Sequence, residues 1–472
     1  MKKVKIVATV GPSSNSEDSL KSLIEAGVDV FRLNFSHGDH NTHRENIEKI
    51  RKVSKKVGKE IAVLQDLSGP KIRIGDLEKP FYLHYEDKIK IVKRQIVGNR
   101  EKISLNHPEI LDQLKVGDRI YVADGMIRLK VIDTDEEGVL CSVIVGGMLS
   151  SRKGVNFPNI KLDIPALTEK DKKDILFGIE AGIDIVALSF VKSADDVVET
   201  KDFIKKNGGD PPVFAKIEKH EAVDNIDSII KEADGIMVAR GDLGVEIDME
   251  KVPVIQKMII KKCNDAGKPV ITATQMLTSM LTSPRPTRAE VSDIANAVLD
   301  GTDAVMLSDE TAVGKYPVEA VEVMHRTIVE TEKIYKFYRE RPVSDPTTAV
   351  ASAGSNIARD VKAKAIVAFT RSGRTAVNVS KFRPECRILG ITHDIKTFRR
   401  LNIVWGVQPY MIIEEGLSSD EMLKEFIHYA YERDFSEDEI TIALLGFVGG
   451  ITGSTSIVRV LRKEDIKEIK NS

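Results

Sequence analysis

The chain has 472 residues and a mass of 52.3 kDa, with 42% hydrophobic and 30% charged residues. That is about three domains' worth at ~100–200 residues each, and it excludes wholesale disorder, which needs low hydrophobicity with high net charge. Lys plus Arg number 70 against 72 for Asp plus Glu, a formal net charge of −2, which excludes a dedicated nucleic-acid or membrane-surface binder while leaving local basic sites open.

The first twelve residues carry a short apolar run that stops at Gly11-Pro12 with no small-residue cleavage site, so they are read as a strand rather than a signal peptide. A unit then recurs. Ala26 to Phe35, Ala181 to Phe190 and Asp300 to Ser308 each contain a Gly suited to end a helix, then a buried apolar strand, then a polar residue at the strand's end. Similar runs place strands near 4–10, 28–35, 61–66, 184–190, 213–218, 235–240, 269–274 and 303–308, with amphipathic stretches between most of them. Eight such units are the number that closes a (β/α)8 TIM barrel.

The gap from 66 to 184 is far too long for one crossover helix. Within it, Phe81 to Val145 alternates apolar and polar residues around turn signals such as Val116-Gly117-Asp118, which predicts a small β-barrel domain inserted after the third strand. Arg341 to Pro346 reads as a linker. Beyond it a new alternation begins: helix 347–362, strand 365–370, helix 375–382, strand 387–392, helix 395–403, strand 407–413, helix 418–432, strand 439–447 and a last strand over 456–462. That pattern predicts a C-terminal α/β layered-sheet domain. The expected division is a barrel of 1–69 and 157–340, a β lid of 70–156 and a C-terminal domain of 346–472. No charge lies between Glu439 and Arg459, but Gly446, Gly449, Gly450 and Gly453 argue for strand–loop–strand over a membrane span. Cys141, Cys263 and Cys386 form no metal or disulfide spacing and suit a reducing compartment, so a cytoplasmic protein is expected.

Chemistry in such a barrel sits at the C-terminal ends of the strands. Those ends read Arg32-Leu33-Asn34-Phe35-Ser36-His37, Gln65-Asp66-Leu67-Ser68-Gly69-Pro70-Lys71-Ile72-Arg73, Lys216-Ile217-Glu218, Arg240-Gly241-Asp242, Thr272-Ala273-Thr274-Gln275 and Ser308-Asp309-Glu310. Singly each has an ordinary explanation, a turn or a solvated face. Together they bring cations, carboxylates and hydroxyls to one rim. Glu218 and Asp242 are hard oxygen donors that leave room for substrate oxygens, which suits Mg²⁺. Arg32, Arg73 and Lys216 suit an anionic substrate. A metal, several cations and few neutral bases point to phosphoryl transfer. No Walker A or protein-kinase glycine loop is present.

At this point the chain resembles the pyruvate kinase family over essentially its whole length, starting at the barrel with no long N-terminal extension. The motifs that carry the likeness are Lys216-Ile217-Glu218, Met237 to Gly244, Ala273 to Leu277, Pro284 to Glu290 and Arg32 to Gly38. The resemblance implies transfer of the phosphoryl group of phosphoenolpyruvate to ADP, and a homotetramer. It implies that Glu218 and Asp242 bind Mg²⁺ or Mn²⁺ and that Lys216 stabilises the phosphoryl group and enolate. Arg32 and Arg73 would grip phosphate, while Asn34, Ser36, His37 and Lys153 would assist the nucleotide. Gly241, Asp242 and Thr274 would hold the substrate carboxylate. Thr274, Ser308, Glu310 and water form a candidate relay for protonating the enolate.

Two departures stand out. The family's common Asp-Thr-Lys-Gly-Pro-Glu-Ile-Arg reads here Asp66-Leu67-Ser68-Gly69-Pro70-Lys71-Ile72-Arg73. A K⁺ would be held by positions matching Asn34, Ser36, Asp66 and the Leu67 carbonyl. Lys71 in place of Glu is a swing of two charge units, so a K⁺-independent enzyme is expected. Asp309 stands where Gly is usual and has no explanation from sequence.

In the C-terminal domain, Thr370, Arg371, Ser372, Gly373, Arg374 and Thr375 lie between a strand and a helix and form a phosphate cradle matching the family's effector loop. Gly449 to Thr455 could close over the same ligand. No Trp and Arg pair occurs near 420–435 to hold a sugar bisphosphate's second phosphate, so AMP or a sugar monophosphate stands beside fructose 1,6-bisphosphate as the expected effector. Two other readings are a Mg²⁺-dependent carbon–carbon lyase, against which the lid and Lys153 argue, and a non-catalytic sensor, against which the intact Lys216, Glu218 and Asp242 argue.

Overall fold

The computed structural model describes residues 2–158, 160, 164–446 and 455–471. Eight strands close a parallel barrel: β1 Lys5–Thr9, β2 Val30–Asn34, β3 Ala62–Asp66, β4 Ile185–Leu188, β5 Val213–Ile217, β6 Gly235–Ala239, β7 Val270–Ala273 and β8 Ala304–Leu307. β1 pairs with β8 through Lys5↔Ala304 to Ala8↔Leu307, which completes the ring. The strands are buried on both faces, as a parallel sheet covered by helices must be. The recurring glycines do what their spacing predicts. Helices α1 Glu17–Ala26 and α2 Glu169–Ala181 end at Gly27 and Gly182, both at positive φ. At Gly27 a Cβ would also lie 2.4 Å from His325 Nδ1, so only glycine fits.

Between β3 and α2 the chain leaves the barrel. Strands over Phe81–Leu83, Lys88–Val92, Lys102–Ser104, Arg119–Val122, Ile127–Asp135, Gly138–Val145, Gly147–Leu149 and Val155–Asn156 build a six-stranded and a two-stranded sheet. These enclose a separate core that includes Ile89, Ile91, Leu129, Val131 and Phe157.

The last region is a five-stranded sheet of β9 Ala365–Phe369, β10 Arg387–Thr392, β11 Val407–Ile412, β12 Thr441–Gly446 and β13 Thr455–Leu461, in the order β11-β10-β9-β12-β13, with only β13 antiparallel. The chain between β12 and β13 lies outside the described residues. A terminal helix, Lys463–Asn471, was not foreseen. One face of this sheet shares the barrel's apolar core. The seam is fixed by Arg383, buried to 2% exposure, which donates to Asp303 at 3.0 Å and to the Gly301 carbonyl at 2.9 Å at the foot of β8. Its guanidinium also lies over the Trp405 ring at 4.9 Å. Removing one partner of such a buried ion pair costs ~3–5 kcal/mol, so this contact locks the orientation of the two units. No helix among the described residues is long and apolar enough to cross a membrane.

Candidate active site

Lys216 is the last-but-one residue of β5, and Glu218 follows on the same face because strand side chains alternate. The Lys216 ammonium lies 2.8 Å from Glu218 Oε1 and 3.0 Å from Asp66 Oδ1, and it donates to Ser189 Oγ at 2.7 Å. The lysine side chain is 11% exposed and the two carboxylates 2% and 1%. Burial on its own would push the ammonium's pKa down. Asp66 and Glu218 outweigh it and hold the lysine well above its ordinary range. Asp66 is shared: Arg32 Nε donates to its other oxygen at 2.6 Å, and Arg32 also donates to Thr9 Oγ1 at 3.0 Å. Burial favours a neutral Asp66, but Lys216 and Arg32 prevail and its pKa lies below the ordinary value.

Glu218 is set differently. Its second oxygen accepts the Phe190 N–H at 2.8 Å, and Phe190 holds φ at +56° to aim it. Its pKa is raised, chiefly by burial. Lys216 pulls it down, and the charges of Asp242 and Asp66 push it up again.

Helix α3, Arg240–Glu246, opens directly from β6 and carries Gly241 and Asp242. The Gly241 N–H donates to Thr274 Oγ1 at 2.8 Å, and Thr274 Oγ1 donates to the Ala273 carbonyl at 2.6 Å. Thr274 and Gln275 have φ of +70° and +56°, a left-handed pair that a β-branched residue adopts only under constraint. Arg240 supplies it, donating to the Thr274 carbonyl at 2.7 Å and to Asp293 at 2.7 Å. Glu310 accepts the Leu277 and Ser308 N–H groups at 3.0 and 2.8 Å, one on each oxygen, and so braces the ends of β7 and β8. Ser308 Oγ is buried and has no hydrogen-bond partner among the described residues. Asp309 is exposed in the first turn after β8.

The nucleotide candidates are less converged. Asn34 and Ser36 stay near β2, where Asn34 Oδ1 accepts the Ser36 N–H at 3.1 Å. His37 and Lys153 are exposed. Arg73 donates to the Arg152 carbonyl at 3.0 Å, within the chain that leads to and from the lid. Lys71 leans on the returning segment, where a Cβ at Gly154 would lie 3.6 Å from its Cε. It lines a cleft with Phe190, Lys192, Lys219, Asp242 and Glu246. Sequence reasoning missed Thr9, Ser189, Arg240 and the Glu246 group. Glu246 accepts from Asn156 Nδ2 at 3.1 Å and pairs with Lys219 at 3.0 Å, which ties the returning strand of the lid to α3.

In the C-terminal domain, Thr370 to Gly373 connect β9 to helix α4, Arg374–Lys381, and Gly373 caps it at φ +85°. Thr375 Oγ1 and Thr455 Oγ1 are 2.7 Å apart in a buried contact. Arg371 lies 3.6 Å from Glu415. Residues 449–454, read as a closing segment, lie outside the described residues.

A barrel mouth that concentrates fixed cations against buried carboxylates belongs to an enzyme that handles phosphorylated anions. Comparison with known proteins makes this specific. The family model for the barrel domain of pyruvate kinase matches residues 1–321, and that for its alpha/beta domain matches 348–461. Pyruvate kinase 2 of Synechocystis is 44% identical over 97% of this chain and 79% of its own length. Pyruvate kinase of Geobacillus stearothermophilus is 45% identical over 97% and 80%, and that of Clostridium acetobutylicum 43% identical over 98% and 99%. The crystal structure of a pyruvate kinase from Cryptosporidium parvum superposes with a TM-score of 0.91 at 38% identity, covering 98% of this chain and 96% of that one. The chain belongs to the pyruvate kinase family and is a phosphotransferase.

Proposed function

We propose that the barrel mouth moves the phosphoryl group of phosphoenolpyruvate to ADP, giving pyruvate and ATP, with Mg²⁺ or Mn²⁺ held by Glu218 and Asp242. The observation that carries this reading is the buried Lys216 ammonium between Asp66 and Glu218. A preorganised cation is worth most where negative charge develops away from water, here on the phosphoryl oxygens and the enolate. Arg32, fixed by Asp66 and Thr9, keeps part of its guanidinium for phosphate. Gly241, Asp242 and Thr274 would receive the substrate carboxylate, with the Thr274 hydroxyl exchanging its backbone contact for substrate.

The donor set fits a divalent cation. Glu218 and Asp242 lie close enough for their charges to act on each other. No group of three or more His, Cys, Asp or Glu ligands occurs among the described residues. Two carboxylates leave the other positions to phosphate oxygens and water, which is how Mg²⁺ is usually held. When bound, the ion would neutralise phosphate charge. For protonation of the enolate, the unpartnered Ser308 hydroxyl and the Thr274 hydroxyl are the candidate donors. Glu310, committed to two amides, positions them.

Asn34, Ser36, His37, Arg73 and Lys153 would meet ADP when the lid closes. Asp66 already has two cationic partners, Arg32 and Lys216, and Lys71 adds positive charge to the cleft that Asp242 lines, which supports K⁺ independence. The proposed division is barrel (1–69, 157–340), lid (70–156) and C-terminal domain (346–472); the lid's separate core supports it, while the barrel and the C-terminal sheet share one. Thr370 to Thr375 would take a phosphorylated effector, in a cytoplasmic homotetramer. The test is pyruvate formation with ADP and Mg²⁺, with and without K⁺, for the native chain and for Lys71→Glu. Equal native rates and a K⁺ requirement in the variant support the reading; a K⁺ requirement in the native chain overturns the account of Lys71.

A further inference from the structure

The exit of β4 contributes nothing to the site read from the sequence, yet Ser189 and Phe190, which follow that strand, hold both charged groups at the end of β5. Phe190 supplies the amide that fixes Glu218 at 2.8 Å. Ser189, only 2% exposed, lies between Lys216 and the turn after β3. Its Oγ accepts from the Lys216 ammonium at 2.7 Å and donates to the Leu67 carbonyl at 2.7 Å. Chemistry forces that direction. An ammonium can only donate and a carbonyl can only accept, so the single hydroxyl proton of Ser189 lies on Leu67.

The Leu67 carbonyl is itself a fixed point. The Leu67 N–H donates to the Ala187 carbonyl at 3.0 Å, and the Gly69 N–H donates to Asp171 at 3.2 Å. Gly69, at φ +61°, packs closely against the exit of β4. A Cβ there would lie 2.7 Å from Phe190 Cδ2 and 3.0 Å from Ser189 Cβ. A pinned turn is thus joined through one buried hydroxyl to the ammonium. The carboxylates act differently. Asp66 Oδ1 is 3.0 Å from the ammonium and has no hydrogen-bond partner among the described residues. Coulomb attraction keeps the charge in place without setting its direction, whereas a hydrogen bond weakens steeply as its angle closes. Asp66 and Glu218 keep the lysine charged, and Ser189 aims it.

We propose that Ser189 is a positioning residue for phosphoryl transfer, which orients the Lys216 ammonium from the fixed Leu67 carbonyl. The proposal rests on the reading of Lys216 as the group that meets the developing charge, and deepens it. A preorganised charge loses much of its value when its aim shifts. Arg32, the other cation for phosphate, is held by Asp66 and Thr9 and makes no contact with this chain of bonds. Loss of Ser189 should therefore slow the chemical step and leave phosphoenolpyruvate binding nearly as it was.

The test is a double-mutant cycle on kcat with Ser189→Ala, Lys216→Met and the two combined, with KM for both substrates and a thermal melt of each protein. In Ser189→Ala, kcat is expected to fall by at least about tenfold, with KM for phosphoenolpyruvate within about threefold of native. Added to Lys216→Met, the same change should cost less than about twofold, because no ammonium is left to aim. Ser189→Cys keeps a weak donor of similar size, should fall between the two, and takes the place of Ser189→Ala in the cycle if that variant does not fold. Equal losses in both backgrounds mark a structural role and overturn the proposal. A native kcat in Ser189→Ala beside an impaired Lys216→Met also overturns it and leaves the reading of Lys216 standing. A native kcat in Lys216→Met overturns that reading and this proposal together.

Discussion

The two sides of the barrel mouth are built to different rules. On the phosphoryl side, Arg32, Asp66, Lys216 and Glu218 are buried, mutually paired and held by backbone groups of neighbouring strands. On the nucleotide side, His37 and Lys153 are exposed and Arg73 spends a hydrogen bond on the Arg152 carbonyl. The first side is finished before any ligand arrives. The second, which we propose takes the nucleotide, is distributed over the loop after β2, the lid and the segments that lead to it, and closure of the lid would assemble it. Preorganised charge serves the step where charge develops, whereas a hinged second half admits one substrate and then excludes water.

Substitutions should separate the two sides. The largest effect is expected from Lys216→Met. Loss of a fixed electrostatic group at the reacting centre should lower kcat by at least about 10²–10³-fold. Fold should persist, because Asp66 keeps Arg32 and Glu218, whose pKa is already raised, can take up a proton. Steady-state assay together with a thermal melt checks both halves. A kcat within tenfold of native would remove Lys216 from the chemistry.

A smaller and different effect is expected from Asn156→Ala. It cuts the hydrogen bond from the lid's returning strand to Glu246 while leaving the Glu246–Lys219 pair in place. A bond to a charged group contributes ~1.5–3 kcal/mol. KM for ADP should therefore rise by at least roughly tenfold, with KM for phosphoenolpyruvate nearly unchanged. Equal rises in both would mean that the two sides of the mouth are not independent.

The difference between the sides also explains what could be read in advance. The eight barrel strands were legible because a strand buried on both faces is a bare apolar run, as in Ile185–Leu188, here announced by the helix-ending Gly182. Lys216 and Glu218 were legible because they are two residues apart on one face. Short lid strands such as Gly147–Leu149 and Val155–Asn156 are below any periodic signal. The final helix is mostly charged, and Ile466 and Ile469 alone mark its buried stripe. Thr9 and Ser189 are generic polar residues at strand ends. Arg240 finds Asp293, and Asn156 finds Glu246, across separations that no local pattern reveals. Contacts of that kind come from topology and not from spacing.

The smallest expected effect concerns pH at the root of the lid. His220 lies 3.8 Å from Glu246 and 3.1 Å from Glu221. Its pKa is raised above 6.5, first by the nearby Glu246 carboxylate, with burial opposing and Glu221 assisting. Glu246 moves the other way, because His220 and Lys219 outweigh its burial. A histidine whose folded pKa is raised contributes stability that is fully present below its unfolded pKa. That stability fades as pH rises through the folded value. The native chain should therefore lose its advantage over His220→Gln as pH rises above about 6.5, and the gap in Tm should shrink by about 2 °C or less in a chain of this size. Thermal melts of both proteins at pH 6, 7 and 8.5 measure it. If KM for ADP follows the same profile, the histidine acts through the lid. If Tm alone changes, its contribution is confined to holding Glu246 in the folded chain.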